Sequence, residues 1–389
     1  MSQLYFDTVI VRFGGEIGIK AEWTRKLYER RLMTNIKAVL KENSLSYAAF
    51  LRKFGRIYIK TSRAEATAEK LRRVFGISSL SPSLEISSDL DYIVRASLDL
   101  AASEFKKGKK FSVRCHRIGK HPYTSQDVCR KVGQSLLTQL PSLKLKVDLS
   151  HPEQTLHIEV REDKSYIYTK IVTGPGGLPL GTQPTLVNLL NNDMASAAAC
   201  WLTMKRGCPP ILVHFENKGS KNKSDIKKTT DTAKRLMEWS VGFPRNLYLI
   251  EQNYGSDRRG EKYSQKTAAL LQKRLMLRIA QRLGIMKKAE GIVTGDTINK
   301  TSKHTIHTFR LQDEATDGYP IYRPLLGKDT PEIQKLAQSI SLETTAGKIK
   351  RKEPLESGIE LQEVHRIEKE MNTDQMVEDA LESLKVLKI

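Results

Sequence analysis

Nine side chains between residues 107 and 131 are of the type that binds a polyanion: Lys107, Lys109, Lys110, Arg114, Arg117, Lys120, His121, Arg130 and Lys131. Ammonium and guanidinium groups set against phosphates release condensed counterions, so a cluster of them favours nucleic acid. The whole chain agrees in sign. Its 389 residues carry 65 Lys and Arg against 44 Asp and Glu, a net charge of +21, which points first to nucleic acid and second to an anionic membrane. Residues 1–184 hold 31 of the basic and 18 of the acidic residues, so the surplus is denser toward the N-terminus. Any one of the nine could equally be a solvated surface charge, as most lysines are. Taken together they read as a nucleic-acid patch.

Other chemistry is thinly represented. Cys115, Cys129, Cys200 and Cys208 form no CxxC and no closely spaced framework, which argues against zinc and disulfides and for a reducing compartment. Cys200, in the run Ala197-Ala198-Ala199-Cys200-Trp201, reads as a small core residue. Cys208 follows a helix, the pole that disfavours a thiolate. His304 and His307 in SKHTIHTF lack a third ligand nearby and read as polar loop residues. No apolar run approaches the roughly 18 residues of a membrane span, and MSQLYFDTVIVRFGG reads as a strand rather than a signal peptide. The chain therefore reads as cytoplasmic, with no membrane partner.

Periodicity gives the elements that must hold these residues. Tyr5 to Phe13 is a β-rich run, and Trp23 to Lys41 spaces Leu27, Leu32, Ile36, Val39 and Leu40 as an amphipathic helix. Arg56 to Lys60 alternates as a strand, Ala64 to Phe75 is helical and Leu80 to Ile86 is a third strand, an order that suits a split βαβ layer. After a helix over Leu90 to Phe105, the basic turn at 106–110 leads into the strand Phe111 to Arg117. Thr124 and Asp127 form a capping-box pattern opening a helix whose apolar face is Val128, Val132, Leu136 and Leu137. Leu156 to Val160 and Tyr166 to Val172 pair across the polar turn Arg161 to Ser165.

Gly174 to Gly181 (GPGGLPLG) is too dense in Gly and Pro for an element interior and marks the main boundary. Beyond it, strands Thr185 to Leu190, Ile211 to Phe215, Asn246 to Ile250 and Gly291 to Thr294 alternate with helices Ala195 to Lys205, Asp231 to Ser240 and Lys266 to Leu283. That alternation predicts an α/β unit with a parallel sheet. Glu216 to Thr230 reads as a mobile basic loop, and helices Leu361 to Met371 and Gln375 to Lys385 read as a terminal appendix.

Strings along this frame resemble one family. FSVRCHRIGKHPYTSQDVCRKVG and VDLSHPEQTLHIEVREDKSYIYTKIVTGPGGLPLGTQ are similar to the THUMP domain and linker of tRNA 4-thiouridine synthetases, and VIVRFGGEIGIKA is similar to the opening of their ferredoxin-like domain. WLTMKRG, KRLMLRIA, IVTGDT and YPIYRPLLGKDTPEIQKLA resemble successive pieces of their pyrophosphatase (PP-loop) domain. The match runs in consistent order over residues 5–340, with no counterpart of the rhodanese domain that some members carry. The resemblance implies an α+β N-terminal half, with a ferredoxin-like domain over 1–80 and a THUMP RNA-binding domain over 81–174. A doubly wound α/β PP-loop-like domain over 175–345 and a helical appendix over 346–389 follow. It also implies tRNA as partner, its acceptor region measured by the first two domains, and a homodimer. In the family, the PP-loop domain adenylates uridine 8 before sulfur is delivered. A-form RNA is bound through phosphates and 2′-hydroxyls, which suits the nine basic side chains.

The chain departs from the family where the chemistry lies. A PP-loop needs a Ser-Gly-Gly-x-Asp-Ser turn whose backbone amides approach a pyrophosphate closely. Aligned on WLTMKRG, the positions here read Asn191-Asn192-Asp193-Met194-Ala195-Ser196. Only the final Ser matches. Asn192 and Asp193 replace both glycines, Asp193 adds a charge that repels phosphate, and Ala195 replaces the motif's Asp. The turn reads as an ordinary strand-to-helix junction capped by Asn and Asp. The CxxC of shorter members corresponds to Ala269 and Gln272, ETTAGKIKRKEP holds no counterpart of a terminal Cys pair, and Asn299-Lys300 replace the Gly-Gln expected after Asp296. Sulfur transfer needs an accessible thiolate, and none is evident.

The expectation is a tRNA-binding protein, catalytically degenerate, with no catalytic residue and no cofactor, presenting tRNA to a separate modifying enzyme. The rival is an active sulfurtransferase that makes 4-thiouridine with ATP, magnesium and an external sulfur carrier. A structural subunit without RNA affinity is the third reading.

Overall fold

Alternating β-branched and polar residues build the first half of the molecule. In the computed structural model, which describes residues 5–217, 223–252, 263–298, 305–342 and 359–389, the chain divides into units of residues 1–177 and 178–389. The first unit runs β1 (Thr8–Phe13), α1 (Gly15–Gly18), α2 (Glu22–Glu42), β2 (Ala49–Lys53), β3 (Arg56–Lys60), α3 (Ala64–Leu71), β4 (Ile77–Ser87) and α4 (Leu90–Glu104). It continues with β5 (Lys110–Ile118), α5 (Ser125–Gln139), a 3-10 turn, β6 (Lys146–Val147), β7 (Gln154–Arg161), β8 (Lys164–Tyr168) and β9 (Val172–Thr173).

The strands form one sheet in the order β2-β3-β1-β4-β8-β7-β5-β6, with β9 on β4. Strand β4 serves two half-sheets. Its first part, from Ile77 to Ser83, pairs with β1, and Leu84 to Ser87 pair with β8. In the second half-sheet Phe111, Val113, Leu156, Ile158, Val160 and Ile167 pack with α4 and α5 through Ile93, Leu100, Val128, Val132 and Leu136. Side chains alternate across a strand, so His157, Glu159 and Arg161 must point the other way. In the first half-sheet Ile10 and Tyr58 lie on the face that joins Tyr166 and Tyr168 in a common cluster. The polar faces of the two half-sheets therefore meet each other across β4. The Thr124–Asp127 capping box opens α5 as the pattern predicts.

The second unit runs β10 (Leu186–Leu189), α6 (Met194–Lys205), β11 (Pro210–Asn217), α7 (Lys223–Met237), β12 (Asn246–Gln252), α8 (Gln265–Met286) and β13 (Ile292–Val293). Then come α9 (Thr305–Glu314), β14 (Ile321–Tyr322), α10 (Thr330–Ser339), α11 (Leu361–Glu370), α12 (Thr373–Glu382) and β15 (Lys385–Lys388). The sheet order is β14-β13-β10-β11-β12-β15, parallel except for β15. The chain moves one way from β10 to β12 and the other way to β13 and β14, which places a topological switch point between β10 and β13.

Two expectations for this unit are corrected. The basic loop expected over 216–230 gives way to helix α7 from Lys223, because Thr229, Thr232, Ala233 and Leu236 supply a buried helical stripe hidden among lysines. The terminal segment is not an appendix. Val377 and Ala380 share a core cluster with Leu275, Ile279 and Leu283. The expected last helix stops at Glu382, and KVLK pairs antiparallel with β12 as an edge strand. Arg274, fully buried on α8, binds Glu368 of α11 at 2.7 Å and Glu314 of α9 at 2.8 Å. No described helix is long and apolar enough to cross a membrane.

Candidate nucleic-acid interface

The nine basic residues fall into separate groups around β5 and α5. Lys107, Lys109 and Lys110 lie at the turn into β5, which Gly108 permits with φ +77. Lys109 pairs with Glu153 at 2.5 Å and Lys110 with Asp148 at 2.9 Å, both exposed. Arg114 is exposed at mid-strand, in register with His157. At the far end of β5, His121 Nε2 donates to the Glu162 carbonyl at 2.7 Å, leaving Nδ1 as an acceptor 3.4 Å from Arg117. Arg117 also donates to the Gly119 carbonyl at 2.8 Å, and Lys120 is exposed beside it. Arg130 and Lys131 lie on α5, paired with Asp127 and Asp91. A nine-residue strand spans about 27 Å at roughly 3.3 Å per step. The turn lysines and the Arg117, Lys120 and His121 group therefore cannot meet one phosphate. Arg114 also lies on the sheet face opposite the helix that carries Arg130 and Lys131.

The inward polar face carries cations that the sequence reading did not single out. Arg12 of β1, Arg56 of β3 and Arg161 of β7 converge on Glu159 at 2.7, 3.8 and 2.6 Å. Tyr168 donates to Glu159 at 3.1 Å and accepts from Arg12 at 2.7 Å. Burial alone would raise the Glu159 carboxyl, but Arg12 foremost, with Arg161 and Arg56, holds it below its ordinary value. His157 stacks on Tyr168 with ring centroids 5.0 Å apart. Burial, then Arg12 and Arg114, lowers its pKa, so it stays neutral. The alternation in RIYIK and HIEVR was the available signal: it puts Arg56 and Tyr58, and His157, Glu159 and Arg161, on faces opposite the apolar residues. What those faces meet is a tertiary fact.

In the second unit the crevice at the carboxyl ends of β10 and β13 is where an open α/β sheet holds its ligand. Its first wall is the junction from β10 into α6. Asp193 caps α6, its Oδ1 accepting from the Ser196 amide at 2.7 Å. Ser196 Oγ donates to the Asn191 and Asp193 carbonyls at 3.0 and 3.1 Å and accepts from the Asn191 amide. Asn192 Nδ2 donates to Asp225 at 3.1 Å, and Ala195 is buried. From β13, Gly295 closes on the same spot: a Cβ there would lie 2.5 Å from the Ser196 nitrogen. The junction is therefore capped from within. A helix-terminus amide is thus already held by a carboxylate, whose charge has the sign of a phosphate's.

Charge gathers beside this contact. Asp296 is buried, 3.2 Å from Lys273 and 3.9 Å from Arg323, and Arg323 pairs with Asp313 at 2.5 Å over the Phe309 ring. Ala269 is exposed and Gln272 half-buried on α8, while His307 is exposed on α9. His304, Asn299, Lys300 and the segment ETTAGKIKRKEP lie outside the described residues. All four thiols are pushed up by burial, Cys115 to about 12. None is poised as a thiolate. No group of three or more His, Cys, Asp or Glu with metal-binding geometry occurs among the described residues.

Comparison with known proteins divides the chain along the same lines. Residues 8–81 match the ThiI ferredoxin-like domain, 87–170 the THUMP domain, and 181–354 the family described as thiamine biosynthesis protein (ThiI). A probable tRNA sulfurtransferase of Saccharolobus islandicus is 33% identical over 98% of this chain and 100% of its own length. One from Methanosarcina acetivorans is 32% identical over 98% and 94%. Among solved structures, a 4-thiouridine synthetase–RNA complex with bound ATP superposes with TM-score 0.83 at 26% identity, over 98% of this chain and 99% of that one. A Pyrococcus horikoshii protein gives 0.67 at 29% identity, over 86% and 100%.

Proposed function

Because the chain belongs to the tRNA sulfurtransferase (ThiI) family, we propose that it binds tRNA through its ferredoxin-like and THUMP halves and performs no thiolation itself. It presents tRNA, in the cytoplasm, to a separate modifying enzyme. The observation that carries the second part is the Asp193 carboxylate on the Ser196 amide, reinforced by Gly295 packed against the same nitrogen. A phosphate would have to displace a buried carboxylate of its own sign. The raised thiols support the same reading, since persulfide transfer needs a thiolate. For the first part, the net charge of +21 and the exposed lysines and arginines along β5 and α5 supply the phosphate contacts.

Lys107, Lys109, Lys110, Arg114, Lys120, Arg130 and Lys131 are the contacts open to solvent. Arg117 and His121 instead hold the loop that presents Lys120. The expected result is retention of unmodified tRNA by the full chain, weakening steeply as salt rises, with no measurable ATP binding by calorimetry. Failure to retain tRNA at about 0.1 M salt, where screening acts within roughly 10 Å, contradicts the first part. ATP binding that saturates contradicts the second.

The rival is an active ATP-dependent sulfurtransferase with an external sulfur carrier. Its specific support is the likeness, at TM-score 0.83, to a synthetase solved with ATP. Lys273 and Asp296, paired at 3.2 Å between α8 and the end of β13, would then be charged groups available to a bound nucleotide.

A further inference from the structure

We propose that the ion clusters around Glu159 and Glu85 are positioning devices. They set the angle between the two half-sheets, and so the spacing at which the first unit presents its cations to one RNA. This rests on the tRNA-binding reading above.

The two half-sheets share β4, and nothing in a shared strand fixes the angle between what hangs on either side. Neighbouring strands twist by anything from about −10 to −35°. The side chains across β4 supply the missing constraint. Glu159, from the THUMP half, is gripped by Arg12 and Arg56 of the ferredoxin-like half and by Arg161 of its own strand. Glu85, on β4 itself, is gripped by Lys60 from one side at 3.1 Å and by Lys164 from the other at 2.5 Å. Tyr58 and Tyr166 stack from the two halves with centroids 4.6 Å apart.

Three guanidiniums around one carboxylate make a poor source of stability, since the desolvation of each cation offsets its pairing. They are a strong source of geometry. Arg12 and Glu159 side chains are 14% and 6% exposed. Any other angle would leave a largely buried cation without its counter-charge, which is far costlier than the paired state. The halves are thus confined to one arrangement, and the exposed Lys26, Arg30 and Lys37 on α2 of the ferredoxin-like half to one separation from the cations of β5 and α5. A rigid A-form helix then fits at one length.

The test measures affinity of the full chain for a tRNA and for the same tRNA with its acceptor stem lengthened by two base pairs. Variants are Glu159→Gln, Tyr168→Phe and Lys60→Gln, with Arg114→Ala as the surface control. Wild type is expected to prefer the natural length. Glu159→Gln is expected to reduce that preference on the order of fivefold or more, the range of ordinary coupling between sites. Tyr168→Phe and Lys60→Gln do the same to a smaller degree and keep the test open if Glu159→Gln does not fold. Arg114→Ala lowers both affinities and leaves their ratio, as would a merely structural loss of folded protein. Folded variants that keep the wild-type ratio overturn the proposal. Wild type that binds neither RNA overturns the tRNA-binding reading, an outcome visible before any variant is made.

Discussion

Asp193 caps α6 by accepting from the Ser196 amide, the contact on which the proposed absence of nucleotide binding rests, and a single substitution tests both roles. Asp193→Ala removes an N-cap and should cost about 1 kcal/mol, within the usual range for such losses, read from the urea midpoint. ATP binding should not appear, because Asn192 still carries a side chain where a phosphate cradle needs glycine and Ala195 still lacks the motif's carboxylate. ATP affinity in this variant would show that the cap alone blocks the cradle. At the Glu159 cluster the sign follows from two depressed pKa values. His157 is neutral in the fold, so its contribution is complete above its ordinary 6.5 and is lost as pH falls through the lower folded value. Glu159 contributes fully above 4.5 and loses its contribution in the same way further down. Stability against urea should therefore fall from pH 7.5 toward 5 and more steeply below 4.5, where other paired carboxylates join. A flat or rising profile contradicts this. Asn192 and Asp193, standing where the resemblance expects glycines, could be read from the sequence. Arg12, Arg56 and Arg161 were not, because each sits alone in its own strand and only folding brings them to one carboxylate.

Elements with strong periodicity were legible and those made by tertiary contact were not. The capping box at Thr124 and the α8 stripe are local signals, and both helices form where those signals lie. Strand β15 carries no signal of its own beyond four residues, and α7 is disguised by its lysines. The cost of the last helices can be measured. Glu368→Ala leaves Arg274 buried with one carboxylate fewer and should destabilise the second unit by about 3 kcal/mol or more, as expected when a buried pair is broken. A change under about 1 kcal/mol in thermal or urea unfolding would mean that α11 is indeed a loosely held appendix. Gly295→Ala drives a Cβ to 2.5 Å of the Ser196 nitrogen. Backbone cannot yield as a flexible side chain does, and overpacking of this kind costs about 1–3 kcal/mol. The Gly295 loss should appear in the urea midpoint while tRNA retention by the first unit is unchanged.

At the scale of the molecule, one unit gathers cations on a shared sheet and the other builds a mostly parallel α/β sheet with a switch point between β10 and β13. The family and the order of its domains could be read from strings spread over the chain, since each preserves a local pattern. The close approach of Gly295 to the Ser196 amide at the switch point is a tertiary contact that no local pattern carries. The most direct measurement mixes the full chain with ATP, magnesium, a sulfur donor with its desulfurase, and unmodified tRNA. The product is then assayed for 4-thiouridine by near-ultraviolet absorbance and nucleoside mass spectrometry. The expected result is tRNA retained by the protein with 4-thiouridine no higher than in the protein-free control. 4-Thiouridine that rises with protein and requires ATP would contradict the account and establish the sulfurtransferase reading in its place.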